Sequence, residues 1–208
     1  YDGRQDLSQP SHLVVRVPHR VQLWLKSTTG TLTARALAGA VDLYSISGSI
    51  AAANMTGDVT AESMRGNVAV HGSPRWVRLR SGDGNALFDG AARDVAISTV
   101  RGGIVLRGSA DRARAETVSG VVEVSLPMAG AASLDVDSHD GPVRLRFGPS
   151  PDAMANLFTL QGRITNELTN ARSTRSGVEG STLSMVMGSG AARITVRTFS
   201  GAILVQAR

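Results

Sequence analysis

Polar and charged side chains recur every 18 residues in the first half of the chain, and these are the residues that could do chemistry. Carboxylates and arginines on neighbouring coils are the arrangement that parallel β-helix lyases and hydrolases use. A carbohydrate-active β-helix enzyme is therefore one alternative for this chain. One series is Tyr44, Glu62, Arg80, Ser98 and Glu116, and the series two residues earlier is Asp42, Thr60, Arg78, Ala96 and Arg114.

The spacing of the two glutamates argues against that chemistry. Glu62 and Glu116 are three 18-residue steps apart, which is roughly 14 Å where strands stack about 4.8 Å apart. The paired carboxylates of glycosidases are at most about 9.5 Å apart. We therefore predict that the protein is not an enzyme and that this charged face is solvated, with cross-strand ion pairs. The charged face consists of Tyr44, Glu62, Arg78, Arg80, Arg114 and Glu116.

The sequence lacks the residues that a metal site or a cofactor site would need. The chain has no cysteine, and no histidine has the spacing of a metal-binding motif. A calcium-binding nonapeptide roll requires aspartates in one stacked row, whereas the aspartates of this chain do not line up. We predict no metal ion and no cofactor. The residues considered are His12, His19, His71 and His139, with Asp58, Asp83, Asp94 and Asp111.

The elements that position these side chains follow from a nine-residue apolar repeat. Two rows, offset by two residues, contain only apolar side chains. At the 42% apolar content of the chain, such a match has a chance of about one in a billion. The first row is Leu23, Leu32, Val41, Ile50, Val59, Val68, Val77, Ala86, Val95, Ile104, Ala113 and Val122; the second is Leu25, Ala34, Leu43, Ala52, Ala61, Val70, Leu79, Phe88, Ile97, Leu106, Ala115 and Val124.

Residues two positions apart point to the same side of a strand, so each nine-residue unit predicts one short strand followed by a corner. Two units make an 18-residue coil, because glycine recurs at alternate corners. We predict that this glycine supplies a positive φ and that a Ser or Thr three residues earlier binds corner backbone groups. The glycines are Gly30, Gly48, Gly66, Gly84, Gly102 and Gly120, and the hydroxyl residues are Ser27, Ser45, Ser63, Ser81, Thr99 and Thr117.

The sequence thus predicts an all-β fold: one domain over residues 1–208, a parallel β-solenoid with two short strands per coil of about 18 residues. The general preference for right-handed crossovers favours a right-handed β-helix or β-roll. We expect an N-terminal cap and first coil in residues 1–26, regular coils in 27–126, coils with longer loops in 127–182 and C-terminal coils in 183–208.

After Val124 the phase of the repeat slips by three residues per coil. Leu134 lies 21 residues after Ala113, Val143 lies 21 residues after Val122, and Ile164 lies 21 residues after Val143. We interpret these steps as three-residue insertions at corners, with each coil stacked on the one before it in the chain.

One outward row on the opposite face is apolar over four coils. We call it the apolar strip, and its residues are Ala51, Ala69, Leu87 and Val105. Either a terminal segment or the loops of residues 147–180 cover it, or it is a docking strip for a partner or for a second copy of the chain. A flat apolar sheet face would suit lateral dimerisation.

The charge and hydropathy of the chain narrow the partners. A net charge of +5 over 208 residues is a modest field, and a nucleic-acid partner would require the arginines to cluster on one face. No nucleic-acid partner is therefore predicted. No run of about 18 apolar residues occurs, so no membrane span is expected.

Several segments resemble a bacterial family of adhesin-like proteins of unknown function. They are residues 13–18, the Ser-Gly and Thr-Gly units at 47–50, 56–59 and 119–122, residues 160–164, and the ending at 188–203. The resemblance covers nearly the whole chain and implies a right-handed β-helix-like fold. It also implies an extracytoplasmic location: periplasm, cell surface or secreted. It provides no catalytic residues.

Three functions stay open at this point. The first is a non-enzymatic binding or scaffold domain of the bacterial cell envelope, with a protein or cell-surface glycan as partner. The second is a self-assembling β-solenoid, for example a homo-oligomer joined through a flat sheet face. The third is the carbohydrate-active enzyme.

Overall fold

The computed structural model describes residues 12–176 and 180–208, which form β-strands joined by corners and loops. All strands belong to one 18-stranded sheet wound around a common core. The described residues contain no helix that is long and apolar enough to cross a membrane. The strands are β1 Leu23–Ser27, β2 Leu32–Arg35, β3 Val41–Ser45, β4 Ile50–Met55, β5 Val59–Ser63, β6 Val68–Gly72, β7 Trp76–Ser81, β8 Ala86–Thr99, β9 Ile104–Thr117, β10 Val122–Ser125, β11 Ser133–Ser138, β12 Val143–Phe147, β13 Ala153–Thr159, β14 Ile164–Asn166, β15 Thr174–Ser176, β16 Gly180–Met187, β17 Ala192–Thr198 and β18 Ile203–Ala207.

Parallel pairing between adjacent coils creates two faces. Val41 is opposite Leu23 and Val59 is opposite Val41, a register of 18 residues. The first face contains β1, β3, β5, β7, the second halves of β8 and β9, then β11, β17 and β13. The second face contains β2, β4, β6, the first halves of β8 and β9, then β10, β12, β18 and β14. The predicted all-β parallel solenoid is confirmed.

Both predicted apolar rows face the interior. Every member is buried except Leu23, Leu25 and Leu32, which are half-buried and pack against the core at its N-terminal end. Phe88 and Phe147 are the largest fully buried side chains, and most of the others are aliphatic. Burial of these apolar surfaces, at about 25 cal/mol per Å², is the main term that stabilises the solenoid.

The predicted hydroxyl ladder at the glycine corner is confirmed. The Ser63 Oγ accepts a hydrogen bond from the backbone N–H of Gly66 (2.8 Å) and donates one to the carbonyl oxygen of Gly48 in the preceding coil (2.9 Å). The same arrangement links Thr159 to Gly162 and to Gly201. These hydroxyls therefore pair corner backbone groups that the strand ladders leave without partners.

The predicted reason for the corner glycines is wrong. None of the six corner glycines has a positive φ; they are Gly30, Gly48, Gly66, Gly84, Gly102 and Gly120. A Cβ at Gly102 would instead overlap the carbonyl oxygen of Gly84, and a Cβ at Gly120 would overlap that of Gly102. Glycine is required because successive coils bring their backbones into contact at this corner, and no side-chain atom fits between them.

Positive φ angles occur at the corner opposite the glycine corner. They recur every 18 residues in the sequence, and glycine is the residue that adopts this conformation at least cost. Ala36 and Asn54 are the first two, in the left-handed region with φ of 56° and 57°. Gly72, Gly90 and Gly108 follow, in register on adjacent coils, with φ of 143°, 153° and 108°. Gly72 is opposite Met55 and not Asn54, because the register shifts between Ala52 and Met55.

The first two predicted 21-residue steps are confirmed, but the third is wrong. Leu134 pairs with Ala113 and Val143 pairs with Val122. Ile164, however, pairs with Ile203, which lies between it and Val143. The C-terminal coil of β17 and β18 is therefore inserted between the coil of β11 and β12 and the coil of β13 and β14. The coils are not stacked in chain order.

The segment that precedes the C-terminal coil forms the end of the solenoid. β16 pairs antiparallel with β13, and the short β15 pairs antiparallel with β16. We expected coils with longer loops in this part of the chain, but β15 and β16 do not continue the parallel coils, because β16 reverses the strand direction. A three-residue outer strand offers little backbone for pairing with another chain.

The described residues before Leu23, which are 12–22, form no strand. Leu13, Val14 and Val15 are exposed, whereas Val17 and Val21 pack against the core. Residues 1–11, part of the predicted cap, lie outside the described residues.

Candidate binding surfaces

The structure stacks the charged face in the predicted order. Tyr44, Glu62 and Arg80 occupy adjacent coils in register. In the described part of the chain no ion pair joins Glu62 to Arg80, because the arginine–carboxylate pairs form elsewhere. Arg114 instead pairs with Glu116 on its own strand. The role of this face as an interaction surface stays a prediction.

The two glutamates are as far apart as predicted. Glu62, Arg80, Ser98 and Glu116 follow one another on consecutive coils of the first face. Three spacings of about 4.8 Å give roughly 14 Å between the glutamates along the solenoid axis. This column therefore does not provide a carboxylate pair at glycosidase distance.

The histidines occupy separate places. His71 lies on the second face, opposite Asp89 in the next coil. His139 lies at the glycine corner, where its ring stacks on Phe199 with centroids 4.9 Å apart. Among the described residues, no three His, Asp or Glu side chains are grouped as metal ligands.

The apolar strip forms a continuous row. Ala51, Ala69, Leu87 and Val105 are in register on adjacent coils, and Glu123 follows Val105. Ala51 is exposed and the other three are half-buried. β13 and β14, which belong to the segment that we considered as a cover, stack beyond β17 and β18 at the far end of the solenoid. Docking on this strip stays a prediction.

A column of more exposed apolar side chains runs along the glycine corner. Each of its members is the residue directly after a Ser or Thr of the hydroxyl ladder. We call it the corner ridge. Backbone bonds from Met64 to Ser45 and from Phe199 to Ser138 hold its members in register. Its exposed members, with their exposed fractions, are Ile46 (37%), Met64 (54%), Val100 (51%), Val118 (49%) and Phe199 (40%).

The sequence analysis missed this ridge although its signal is present. A step of 18 from Ile46 reaches Met64, Gly82, Val100 and Val118. The inward rows and the outward rows of the two faces carry the same 18-residue period, and the residues of a corner are ordinarily read only as turns. A row at a corner is exposed because a convex bend leaves a side chain without flanking neighbours.

The corner ridge is interrupted by a cleft at Gly82. Because Gly82 has no side chain, the space between Met64 and Val100 opens into a depression of about 390 Å³. Glu62, Arg80 and the nearby hydroxyls complete its wall. The cleft therefore combines an apolar centre with a charged border.

A second cleft of about 360 Å³ lies at the other end of the ridge. Phe158, Leu160 and Phe199 supply its apolar wall, and Asp137 and Arg197 lie at its polar side. The Asp137 and Arg197 side chains approach to 3.7 Å as an ion pair on adjacent coils. This arrangement again places an apolar surface beside charges.

The carboxylate next to this cleft is held in its charged form. Asp140 accepts hydrogen bonds from the Ser200 hydroxyl (2.7 Å) and contacts His139 Nδ1 (2.9 Å). The Ser200 hydroxyl, followed by His139, lowers the pKa of Asp140 below its ordinary value. The end of the ridge is therefore bordered by a fixed negative charge at neutral pH.

The fold and these surfaces define a parallel β-solenoid with exposed side-chain columns. The chain belongs to the Toastrack DUF4097 family, whose model matches residues 7–206. No curated protein and no solved structure matches the chain.

Proposed function

We propose that the protein is a non-enzymatic binding or scaffold domain of the bacterial cell envelope that docks a protein partner along the corner ridge. The single observation that carries the proposal is a line of exposed apolar side chains in which Gly82 and His139 occupy the two intervening positions. Its apolar members are Ile46, Met64, Val100, Val118 and Phe199. Exposed apolar surfaces that are contiguous and bordered by polar residues are typical of interaction sites.

The border of the ridge supports a protein partner. Arg101 binds Asp83 (2.9 Å from Nε) on one side, one residue further along the corner. Glu62 and Arg80 border the Gly82 cleft on the other side. An apolar centre with a polar rim is the usual anatomy of a protein–protein interface, and a cleft can receive an anchoring side chain.

The geometry of the scaffold also supports binding over catalysis. Each coil places its ridge residue about 4.8 Å from the next, so a partner that lies along the axis meets a regular series of contacts. The carboxylates of the charged face stand singly or are paired with arginine, as Glu116 is with Arg114. We expect the protein to release no reducing sugar from bacterial or plant polysaccharides. Release by the wild type that is lost in Glu62→Ala and in Arg80→Ala would contradict the proposal that the domain is non-enzymatic.

The envelope location is part of the proposal and rests on the family resemblance of the sequence. Fractionation of the native cells tests it directly. We expect the protein in the periplasmic, surface or secreted fraction, and recovery with the cytoplasmic markers would contradict it.

Photo-crosslinking in the native cells tests the docking surface. A photoreactive phenylalanine analogue replaces Val100 or Met64, and the control replaces Val186, which is 64% exposed away from the ridge. We expect one distinct protein adduct from both ridge positions and none from position 186. An adduct at twice the mass of the chain would favour self-assembly, and equal labelling from all three positions would refute docking at the ridge.

A further inference from the structure

A cleft on the second face has four arginines among the nine residues that line it. Its volume is about 480 Å³, and it lies where β9, β10, β12 and β18 are adjacent, at the edge of the face away from the corner ridge. The residues that line it are Arg107, Glu123, Val124, Ser125, Arg144, Arg146, Gln206, Ala207 and Arg208.

The register of the strands sets the spacing of two of these arginines. Arg107, Ser125 and Arg146 are outward residues on three consecutive coils. Because adjacent strands lie about 4.8 Å apart, the backbones of Arg107 and Arg146 are roughly 10 Å apart, with the small Ser125 between them. This gap is the floor of the cleft.

Arg208 brings a third guanidinium to the same gap. Its backbone N–H donates to the carbonyl oxygen of Phe147 (2.8 Å), which fixes the residue beside β12. Its side chain then donates from Nε to the Ser125 Oγ (2.7 Å) and from Nη2 to the Ser125 carbonyl oxygen (2.8 Å). The guanidinium is therefore held at the position of Ser125, between Arg107 and Arg146.

The positive charge of the cleft is not neutralised by the described part of the chain. Arg144 is paired with Glu123, at 3.0 Å from Nη1 to Oε1. No described carboxylate lies within 4.0 Å of the guanidinium of Arg107, Arg146 or Arg208. The guanidinium of Arg208 is held on Ser125, between Arg107 and Arg146, and like charges at short distance repel, so this arrangement carries a cost that a bound anion would reduce.

We propose that this cleft binds a tetrahedral oxyanion, namely a phosphate or sulfate group. Guanidinium groups prefer oxyanions because their fork of N–H donors matches two acceptor oxygens at once. A planar carboxylate has two oxygens and one charge, which suits a single arginine. A phosphate or sulfate group has up to four acceptor oxygens and up to two charges, so it can satisfy three guanidiniums that approach from different sides.

The proposal is independent of docking at the corner ridge, because it involves another edge of the solenoid and other residues. Asp89 is opposite Arg107 in the adjacent coil and lies outside the lining of the cleft. Its negative charge opposes an incoming anion. Asp89→Asn should therefore strengthen anion binding, whereas removal of an arginine should weaken it.

Titration followed by NMR of the arginine Nε–Hε signals tests the site residue by residue. The probes are sodium phosphate, sodium sulfate and sodium acetate, at constant ionic strength adjusted with chloride because exposed charges are screened by salt. The variants are Arg107→Gln, Arg146→Gln and Asp89→Asn. Arg80→Gln is the matched control, since it removes the same charge from an exposed arginine on the first face.

We expect phosphate and sulfate to shift the signals of Arg107, Arg146 and Arg208 together, with acetate much weaker. Arg107→Gln and Arg146→Gln should each weaken binding on the order of tenfold, as loss of one charge-assisted hydrogen bond would. Arg80→Gln should leave it unchanged. Equal weakening by all three arginine variants, or equal affinity for acetate, would overturn the proposal, because either result indicates general attraction to a positive surface.

The same titration distinguishes the source of the anion. A long-chain polyphosphate that binds more than tenfold tighter per phosphate group than the inorganic ion would assign the cleft to a phosphorylated polymer. Equal affinity per group would assign it to the free ion. If neither the polyphosphate nor the inorganic ion shifts the signals of Arg107, Arg146 and Arg208 at concentrations too low to shift the control signals, the oxyanion site is refuted.

Discussion

At the scale of single residues, the packing of backbones explains the choice of amino acid at the glycine corner. Gly48 is in contact with the backbone of Gly30, and Gly102 with that of Gly84. The hydroxyl of Ser63 joins two successive corners by hydrogen bonds. The corner therefore depends on both the missing Cβ and the inward hydroxyl.

Gly102→Ala should destabilise the protein strongly, while Gly30→Ala should be nearly neutral. The new Cβ at position 102 overlaps a carbonyl oxygen, and forced overlaps in packed regions cost about 1–3 kcal/mol or more. At position 30 the nearest atom to a new Cβ is the Ser27 Oγ, at 3.1 Å. Urea unfolding measures both free energies of unfolding, and equal losses would contradict the backbone-contact explanation.

Asp152 should make the stability of the turn between β16 and β17 depend on pH. Its carboxylate accepts hydrogen bonds from the backbone N–H of Ala191 (3.2 Å) and of Gly190 (2.8 Å), and from the Ser189 hydroxyl (3.0 Å). These bonds, with that of Ala191 foremost, lower the pKa of Asp152.

A carboxylate with a lowered pKa stabilises the folded state above its unfolded pKa, and this contribution is lost as the pH falls through the folded pKa. Asp152→Asn should therefore unfold at lower urea concentration than the wild type at neutral pH, and the difference should shrink in strong acid. A difference that is constant from neutral to acidic pH would exclude this role of the carboxylate.

At the scale of elements, the insertion of β17 and β18 is the main departure from chain order. The sequence predicts the strands themselves, since Ile194, Val196, Ile203 and Val205 have the inward spacing. It does not predict their neighbours, because every coil presents similar Val, Ile and Ala rows. Any two coils can stack by this pattern, so the order of stacking depends on loops and on side-chain volumes.

The sequence predicted the core rows, the hydroxyl ladder and the first insertions for the same reason: each follows from a strict period. The positive φ angles at the opposite corner were not predicted, because Ala36 and Asn54 adopt the first two in place of glycine and the register shifts between Ala52 and Met55. The corner ridge was overlooked because exposure at a convex corner depends on three-dimensional curvature. Arg208 could not be assigned to Ser125 because 83 residues separate them in the sequence.

Engineered cysteine pairs should distinguish the inserted coil from stacking in chain order. The chain has no cysteine of its own. Asp135 is opposite Thr195, and Thr195 is opposite Asn156. Asp135→Cys with Thr195→Cys places two Cα atoms on adjacent strands, within the range of about 4.4–6.8 Å that a disulfide needs.

The control pair is Asp135→Cys with Asn156→Cys, which the inserted coil separates by two strand spacings, roughly 10 Å. Mild oxidation and mass spectrometry should therefore show a disulfide in the first pair only. Stacking in chain order would place Asn156 beside Asp135 through the 21-residue step. A disulfide in the control pair alone would show that the C-terminal coil is not inserted.

At the scale of the whole molecule, the solenoid is a frame that holds several surfaces at fixed spacing. The corner ridge follows one edge, and the arginine cleft lies at another edge. The end beyond β13 is formed by antiparallel β16 and by the short β15. An end of this kind opposes end-to-end growth, because the next copy would not meet a long parallel strand.

The purified protein should therefore be a monomer at all accessible concentrations. The ridge is proposed for a different protein, and the strands β15 and β16 oppose end-to-end growth. Light scattering coupled to size-exclusion chromatography gives the mass. A mass that rises with concentration and falls after Met64→Ser would instead support the self-assembling solenoid.

The central claim, docking of a protein partner along the corner ridge, is tested most directly by the native mass of the protein in gentle extracts of its own cells. We expect the wild type to migrate in a complex larger than the chain, and Val100→Ser with Val118→Ser to shift it to the monomer position. The control, Trp76→Ser with Val186→Ser, removes exposed apolar side chains elsewhere and should leave the complex intact. Migration of the wild type as a monomer, or an equal shift in both double variants, would contradict the claim.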